Sequence, residues 1–352
     1  MNEGSVSSSR ITYLDYLRVF ATFGVIIIHV SAQNWYTADV RTVNWQIFNV
    51  YDSLVRWPVP VFVMISGAVF LGREWNIRTI FSRHILRLTT AFLFWGLIYA
   101  LFKEAGIVNV LRNVAAGPPH MWFVPMIIGL YIGIPIFQKI TESQKVTKYF
   151  LAVSVVFFFV LPQVRNMFED LRLEIGAFQG IYHSLVGTVS QVKGSLIAGY
   201  ACYFVAGFYL SKAEFGKKTR TVIYWLGAMG FLSTIFLDAF YSIRRDAPME
   251  YYYSSFTVNV LLESIAVFVW FRYHVQDREK WNRIAKRLAN YSFGAYLVHV
   301  LVLDQLNYRL GLNTLSFLPI LSVPVIGLTV FAISYAISGL VNQIPVLKRY
   351  IV

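Results

Sequence analysis

The chain of 352 residues is 57% hydrophobic and 17% aromatic, and only 14% of it is charged. A soluble domain of this length needs far less apolar surface, and the single cysteine, Cys202, excludes an internal disulfide and a cysteine-ligated zinc site. The net charge of +13 would suit nucleic acid, but the cations gather in the connections between apolar segments, which makes the charge mainly a topology signal.

Ten apolar segments follow one another, near residues 14–33, 45–71, 86–102, 121–138, 149–162, 195–210, 222–240, 254–271, 291–306 and 317–342. They predict an all-α polytopic membrane protein of about ten transmembrane helices, a single membrane-embedded domain over 1–352 with no separate soluble domain. With the N-terminus in the cytoplasm, the cytoplasmic segments hold 20 Lys and Arg and the outer ones 9, while Arg18 and Arg56 fall within spans. By that bias both termini are cytoplasmic.

The first segment, Leu14 to Gln33, crosses a bilayer in length yet carries Asp15, Arg18 and His29. At about 100° per residue, the eleven steps from Arg18 to His29 turn roughly 1100°, so the two side chains share a face roughly 16 Å apart along the axis. Asp15, Thr22 and Gln33 fall near the same line, which makes one polar stripe through the membrane. Ionisable groups in hydrocarbon cost several kcal/mol unless paired or wetted, so the stripe reads as a functional site. Two plainer readings stand beside it. One is a buried structural network; the other is a signal peptide cleaved near Val30-Ser31-Ala32, against which Asp15, Arg18 and the later spans argue.

In the second segment, Arg56-Trp57-Pro58-Val59-Pro60 predicts a kink or break, with freed carbonyls that must face protein or a cavity. Asp52 and Arg56 are one turn apart and placed to pair. At the cytoplasmic end of the third segment, Arg83 and Arg87 share a helix face and suit phosphate, or simply anionic lipid. Gly117-Pro118-Pro119 then leads into His120-Met121-Trp122 at the outer end of the fourth, where a histidine alone is an ordinary interface residue. The longest outer connection, about 163–194, mixes Arg165, Glu169, Asp170, Arg172 and Glu174 with aromatics and has the length of a binding loop. Asp238, Glu263 and His299 are single ionisable residues in later spans, each a candidate partner of His29.

Taken together, LDYLRVFATFGVIIIHV with its Arg18 and His29, PVFVMISGAVFL from Pro60, HMWFVPMIIGLYIGIPI from His120 and SFGAYLVHVLVL from Ser292 resemble the integral-membrane acyltransferase-3 family over nearly the whole chain. The look is closest to its short stand-alone members, without the soluble domain fused to some others. The resemblance implies a multi-pass protein of the bacterial cytoplasmic (inner) membrane that O-acylates a cell-envelope polysaccharide or lipid-linked saccharide, with acetyl-CoA as donor and no metal. Carried onto this sequence, His29 matches the family's general-base histidine and Arg18 its motif arginine. Arg83 and Arg87 fall where basic residues contact acyl-CoA, and His120, Trp122 and His299 match motif positions of unassigned role.

The chemistry expected is acyl transfer, most simply of acetyl, onto a sugar hydroxyl, which needs a positioned base with a pKa near neutrality. His29 serves as that base or as an acyl carrier, and Glu263 joins His120, Trp122 and His299 as a substrate-binding candidate. The rival class is a glycan exporter or secondary transporter, which also uses polar stripes and broken helices. Against it, no later segment resembles 52–67 as a second, paired break.

Overall fold

The computed structural model describes residues 11–103, 107–171 and 196–352, and in them the chain is helical with no strand. Most of the connection read as 163–194 lies outside the described residues. Among the described residues, seven helical segments are long and apolar enough to cross a membrane, and a bent pair taken as one span makes an eighth. The remaining two predicted segments are helices as well. Leu196–Lys212 has 17 residues, and Glu279–Leu310 has 32 with polar residues spread through its length.

The principal helices are α1 (Thr12–Trp35), α2 (Val43–Ser53), α3 (Pro58–Phe70), α4 (Leu86–Lys103), α5 (Ile107–Ala116), α6 (Phe123–Ile132), α7 (Ile134–Thr141), α8 (Gln144–Val155), α9 (Leu161–Leu171), α10 (Leu196–Lys212), α11 (Lys217–Arg245), α12 (Val258–His274), α13 (Glu279–Leu310) and α14 (Pro319–Val341). Helix α1 packs against α2, α3, α12, α13 and α14. Its apolar window is 61% buried, against 22% for α11. An ionisable stripe needs a central place, since a helix facing lipid would leave those groups in hydrocarbon.

The second span breaks where its prolines predict. α2 ends at Ser53 and α3 starts on Pro58, a residue whose missing N–H costs nothing at a helix start. Thr42 caps α2 by accepting from the Trp45 amide. The fourth span departs from the single helix read over 121–138, because α6 and α7 meet at 59°. Gly133 and Pro135 sit at that corner, and proline in the first turn of α7 cannot continue the ladder of α6.

Helices α3 and α10 approach backbone to backbone. A Cβ on Gly67 would fall 1.7 Å from the Phe204 carbonyl oxygen, and one on Gly207 2.0 Å from that of Met64. Two facing glycines are what such close packing of membrane helices requires. A last short helix, Pro345–Tyr350, returns against α4, where Thr90 Oγ1 donates to the Tyr350 carbonyl and Trp95 Nε1 to that of Ile351.

Candidate active site

Two residues of the α1 polar stripe, Arg18 and His29, line a cavity of about 1130 Å³; Asp15, Thr22 and Gln33 of that stripe are not on its wall. Arg18, Val25, Ile28 and His29 all line it, so along α1 it runs for the roughly 16 Å that separate Arg18 from His29. At one end stand Arg18, His84, Arg87, Ser292, Asn342 and Lys348; at the other stand Arg56, Glu250, Tyr253 and Ser254. In the alternating order of spans these two groups belong to opposite ends of the bundle.

His29 is one of three histidines brought together from α1, the turn before α6, and α13. Its ring centroid lies 6.1 Å from that of His120 and 5.0 Å from that of His299, and the latter two are 5.4 Å apart. The cluster is pinned from outside by tyrosines. Tyr296 Oη donates to the His120 carbonyl at 2.7 Å. Tyr99 Oη donates to the Leu297 carbonyl at 3.0 Å and accepts from the Leu301 amide at 2.9 Å, bridging the turn of α13 that carries His299. His299 Nδ1 faces the carbonyl of Tyr296, which can only accept, so Nδ1 carries the proton and Nε2 the lone pair. That Nε2 is buried with no hydrogen-bond partner among the described residues.

The basic end gathers N–H donors from separate elements. Arg87 opens α4, donating to the Val352 carbonyl. Immediately before α4, a single π-helical turn over Ile80–Ile85 carries His84, whose ring packs edge-on against Phe70 and Trp75 at 4.9 and 5.0 Å. Lys348 arrives on the returning C-terminal segment. Arg83 is exposed and does not line the cavity. The predicted Arg83–Arg87 face assumed α-helical spacing; the wider π turn rotates the preceding residues and presents His84 instead.

At the opposite end the predicted Asp52–Arg56 pair forms. The Arg56 guanidinium also lies 3.8 Å over the ring of Tyr253, whose hydroxyl donates to Asn49 Oδ1. Beside it runs an aromatic shelf. Trp122, 41% exposed, has its ring centroid 5.8 Å from that of Tyr200, which is 4.8 Å from that of Phe256.

Of the residues singled out in the sequence, His29, Arg18, Arg87, His120 and Trp122 line this one cavity, and His299 is buried directly behind His29. Glu263 is elsewhere. It is fully buried between α11 and α12, where Thr234 donates to it and Asn259 Nδ2 donates to Thr234 at 2.8 Å. Asp238 is likewise buried within α11 and does not line the cavity. Sequence reasoning passed over Arg56 as a site residue, and also His84, Tyr200, Glu250 and Lys348. The ionisable residue inside a span was a usable signal for Arg56; nothing local marked the others. Among the described residues no group of three His, Cys, Asp or Glu is placed to hold a metal ion.

A family model of the acyltransferase-3 family, described as an acyltransferase domain, matches residues 11–339 of the chain. No curated protein and no solved structure matched it.

Proposed function

The chain belongs to the acyltransferase-3 family and is a multi-pass membrane acyltransferase, and we propose that it moves an acetyl group from cytoplasmic acetyl-CoA to a hydroxyl of a cell-envelope glycan or lipid-linked saccharide. The carrying observation is one cavity with a cationic end, a histidine cluster within it and a polar, aromatic opposite end. Arg18, Arg87 and Lys348 suit the phosphates of CoA, because guanidinium forks and ammonium donors match phosphate oxygens, and His84 adds a ring N–H beside them. The long thioester arm then reaches along α1 toward His29. A sugar stacks on the Trp122–Tyr200 shelf with its hydroxyls near Glu250 and Ser254, the mix of apolar walls and few polar groups that a small-molecule site uses.

The step itself needs a base, because a sugar hydroxyl is a poor nucleophile at neutral pH. His29 takes the hydroxyl proton as the oxygen attacks the thioester carbonyl carbon. The C–S bond then breaks, and the proton passes to the departing thiolate. His120 and His299 pack against the His29 ring and hold it in place on the cavity wall. A buried, aromatic-walled site strengthens each of these contacts by excluding water.

The test is labelled acetyl-CoA given to membranes containing wild type or His29→Ala at matched expression, with label followed into extracted glycan and into the protein. Label in glycan that disappears in the variant supports the reading, and label held on wild-type protein assigns His29 an acyl-carrier step. Equal incorporation by both removes His29 from the mechanism. Glycan that crosses the membrane unlabelled supports export instead.

A further inference from the structure

Arg56 occupies an unusual position for a charged residue. It lies in the four-residue break between α2 and α3, inside a membrane span, and its side chain is partly buried on the cavity wall that also holds His29. Two contacts fix it from behind: the ion pair with Asp52, itself almost fully buried, and the ring of Tyr253 under its face. Tyr253 is in turn held by Asn49 and packs 5.4 Å from Trp35 on α1. The ion pair and the ring engage one edge and one face of the guanidinium; a guanidinium has five N–H donors. A salt bridge serving only to hold the break would not need to open onto the cavity, and burying a pair merely for stability gains little.

Resting on the acyl-transfer reading above, we infer that Arg56 is the donor that stabilises the oxyanion of acyl transfer. As the acceptor oxygen forms its bond to the thioester carbonyl carbon, the carbonyl π pair moves onto oxygen while the hydroxyl proton goes to His29. The Arg56 N–H groups bond that oxygen until the pair returns, the C–S bond breaks and the sulfur takes the proton. A cation held rigid before the reaction, in a water-poor wall, has no reorganisation to make when the charge appears, and this is where such donors act most strongly. His29 and Arg56 then flank the reacting carbon, one from α1 and one from the helix break, which gives the break a catalytic reason.

The experiment compares initial rates of labelled acetyl transfer from acetyl-CoA to the glycolipid fraction in membranes carrying wild type, Arg56→Gln, Arg56→Lys, Arg56→Ala and Arg41→Ala. Arg41 pairs with Asp246 on the surface at the same end of the bundle and serves as a cation control. Expected is a kcat loss of about 10²–10³-fold for Arg56→Gln, the size seen when one oxyanion donor is removed, with the KM for acetyl-CoA within about threefold. Arg56→Lys retains an intermediate rate, guanidinium ion restores part of the rate to Arg56→Ala, and Arg41→Ala stays within about twofold of wild type. A merely structural arginine predicts instead a lowered unfolding temperature with no rescue by guanidinium. That pattern overturns the inference, as does a loss confined to KM or a kcat within about threefold of wild type. A wild type that transfers acetyl while Arg56→Gln keeps pace overturns this role alone. A wild type that transfers no acetyl overturns the acyl-transfer reading, and this one with it.

Discussion

Two of the groups of buried ionisable residues in the described spans differ in what they face. The His29–His120–His299 cluster borders a cavity that reaches toward both ends of the bundle. Glu263 and Asp238 are as deeply buried but line no part of that cavity, and Glu263 sits between α11 and α12 with Thr234 and Asn259 rather than open space around it. Both groups cost free energy to place in a membrane. Only one of them has a volume in which chemistry can happen. A charged residue in a span is therefore half an argument, and the open space beside it is the other half.

The sharpest way to break that comparison is to remove the base. His29→Ala is expected to lower the acyl-transfer rate by about 10²–10⁴-fold, the usual worth of a general base, while the protein remains in the membrane at wild-type amounts. Isotope incorporation at matched expression checks both parts. If Glu263→Gln were to cost the same, the two groups would be functionally alike and the contrast would fail.

Next in size is the cationic end. Arg87→Ala removes a charge-assisted contact worth about 1.5–3 kcal/mol, so the KM for acetyl-CoA should rise by roughly 10- to 100-fold with kcat little changed. A donor titration at saturating acceptor reads this directly. Arg83→Ala, the neighbour that faces away from the cavity, should leave that KM within about twofold. Equal effects at 83 and 87 would show that donor binding is a surface field rather than a site.

The interior pair gives a smaller and different signal. Glu263→Ala removes the acceptor of the Thr234 hydroxyl and should cost about 1–3 kcal/mol of stability. It should be visible as a lowered thermal unfolding midpoint in detergent, with the remaining folded protein transferring acyl groups at the wild-type rate. Smaller still is Glu263→Gln, which keeps shape and an accepting oxygen and should shift that midpoint by no more than a few degrees.

Much of this was legible before any coordinates. The apolar segments became helices because hydrophobic runs of that length have no other economical fate in a bilayer, where backbone groups must bond within the segment. The shared face of Arg18 and His29 follows from helical periodicity alone, and both residues line the cavity. Pro58 opens α3 after the break in the second span, where a missing N–H and a fixed φ suit a helix start. The bend between α6 and α7 was missed although Gly133 and Pro135 mark it, because apolar composition is continuous across the corner.

The site itself was less visible. Periodicity placed Arg83 and Arg87 on one face, but a π turn upstream of α4 replaced Arg83 by His84. Lys348, 261 residues beyond Arg87 in the chain, joins it only because the last short helix folds back on α4.

The sequence by itself determined local matters: which segments are apolar helices, where they break, and which residues of one helix share a face, because each depends on neighbours a few positions away. Tertiary structure alone decided that His120 and His299 surround His29, that Glu263 does not, and that Arg56 opens onto the same cavity. Those choices depend on how helices distant in sequence pack, and single ionisable residues in apolar spans look alike until the packing leaves space beside some of them and closes around the rest.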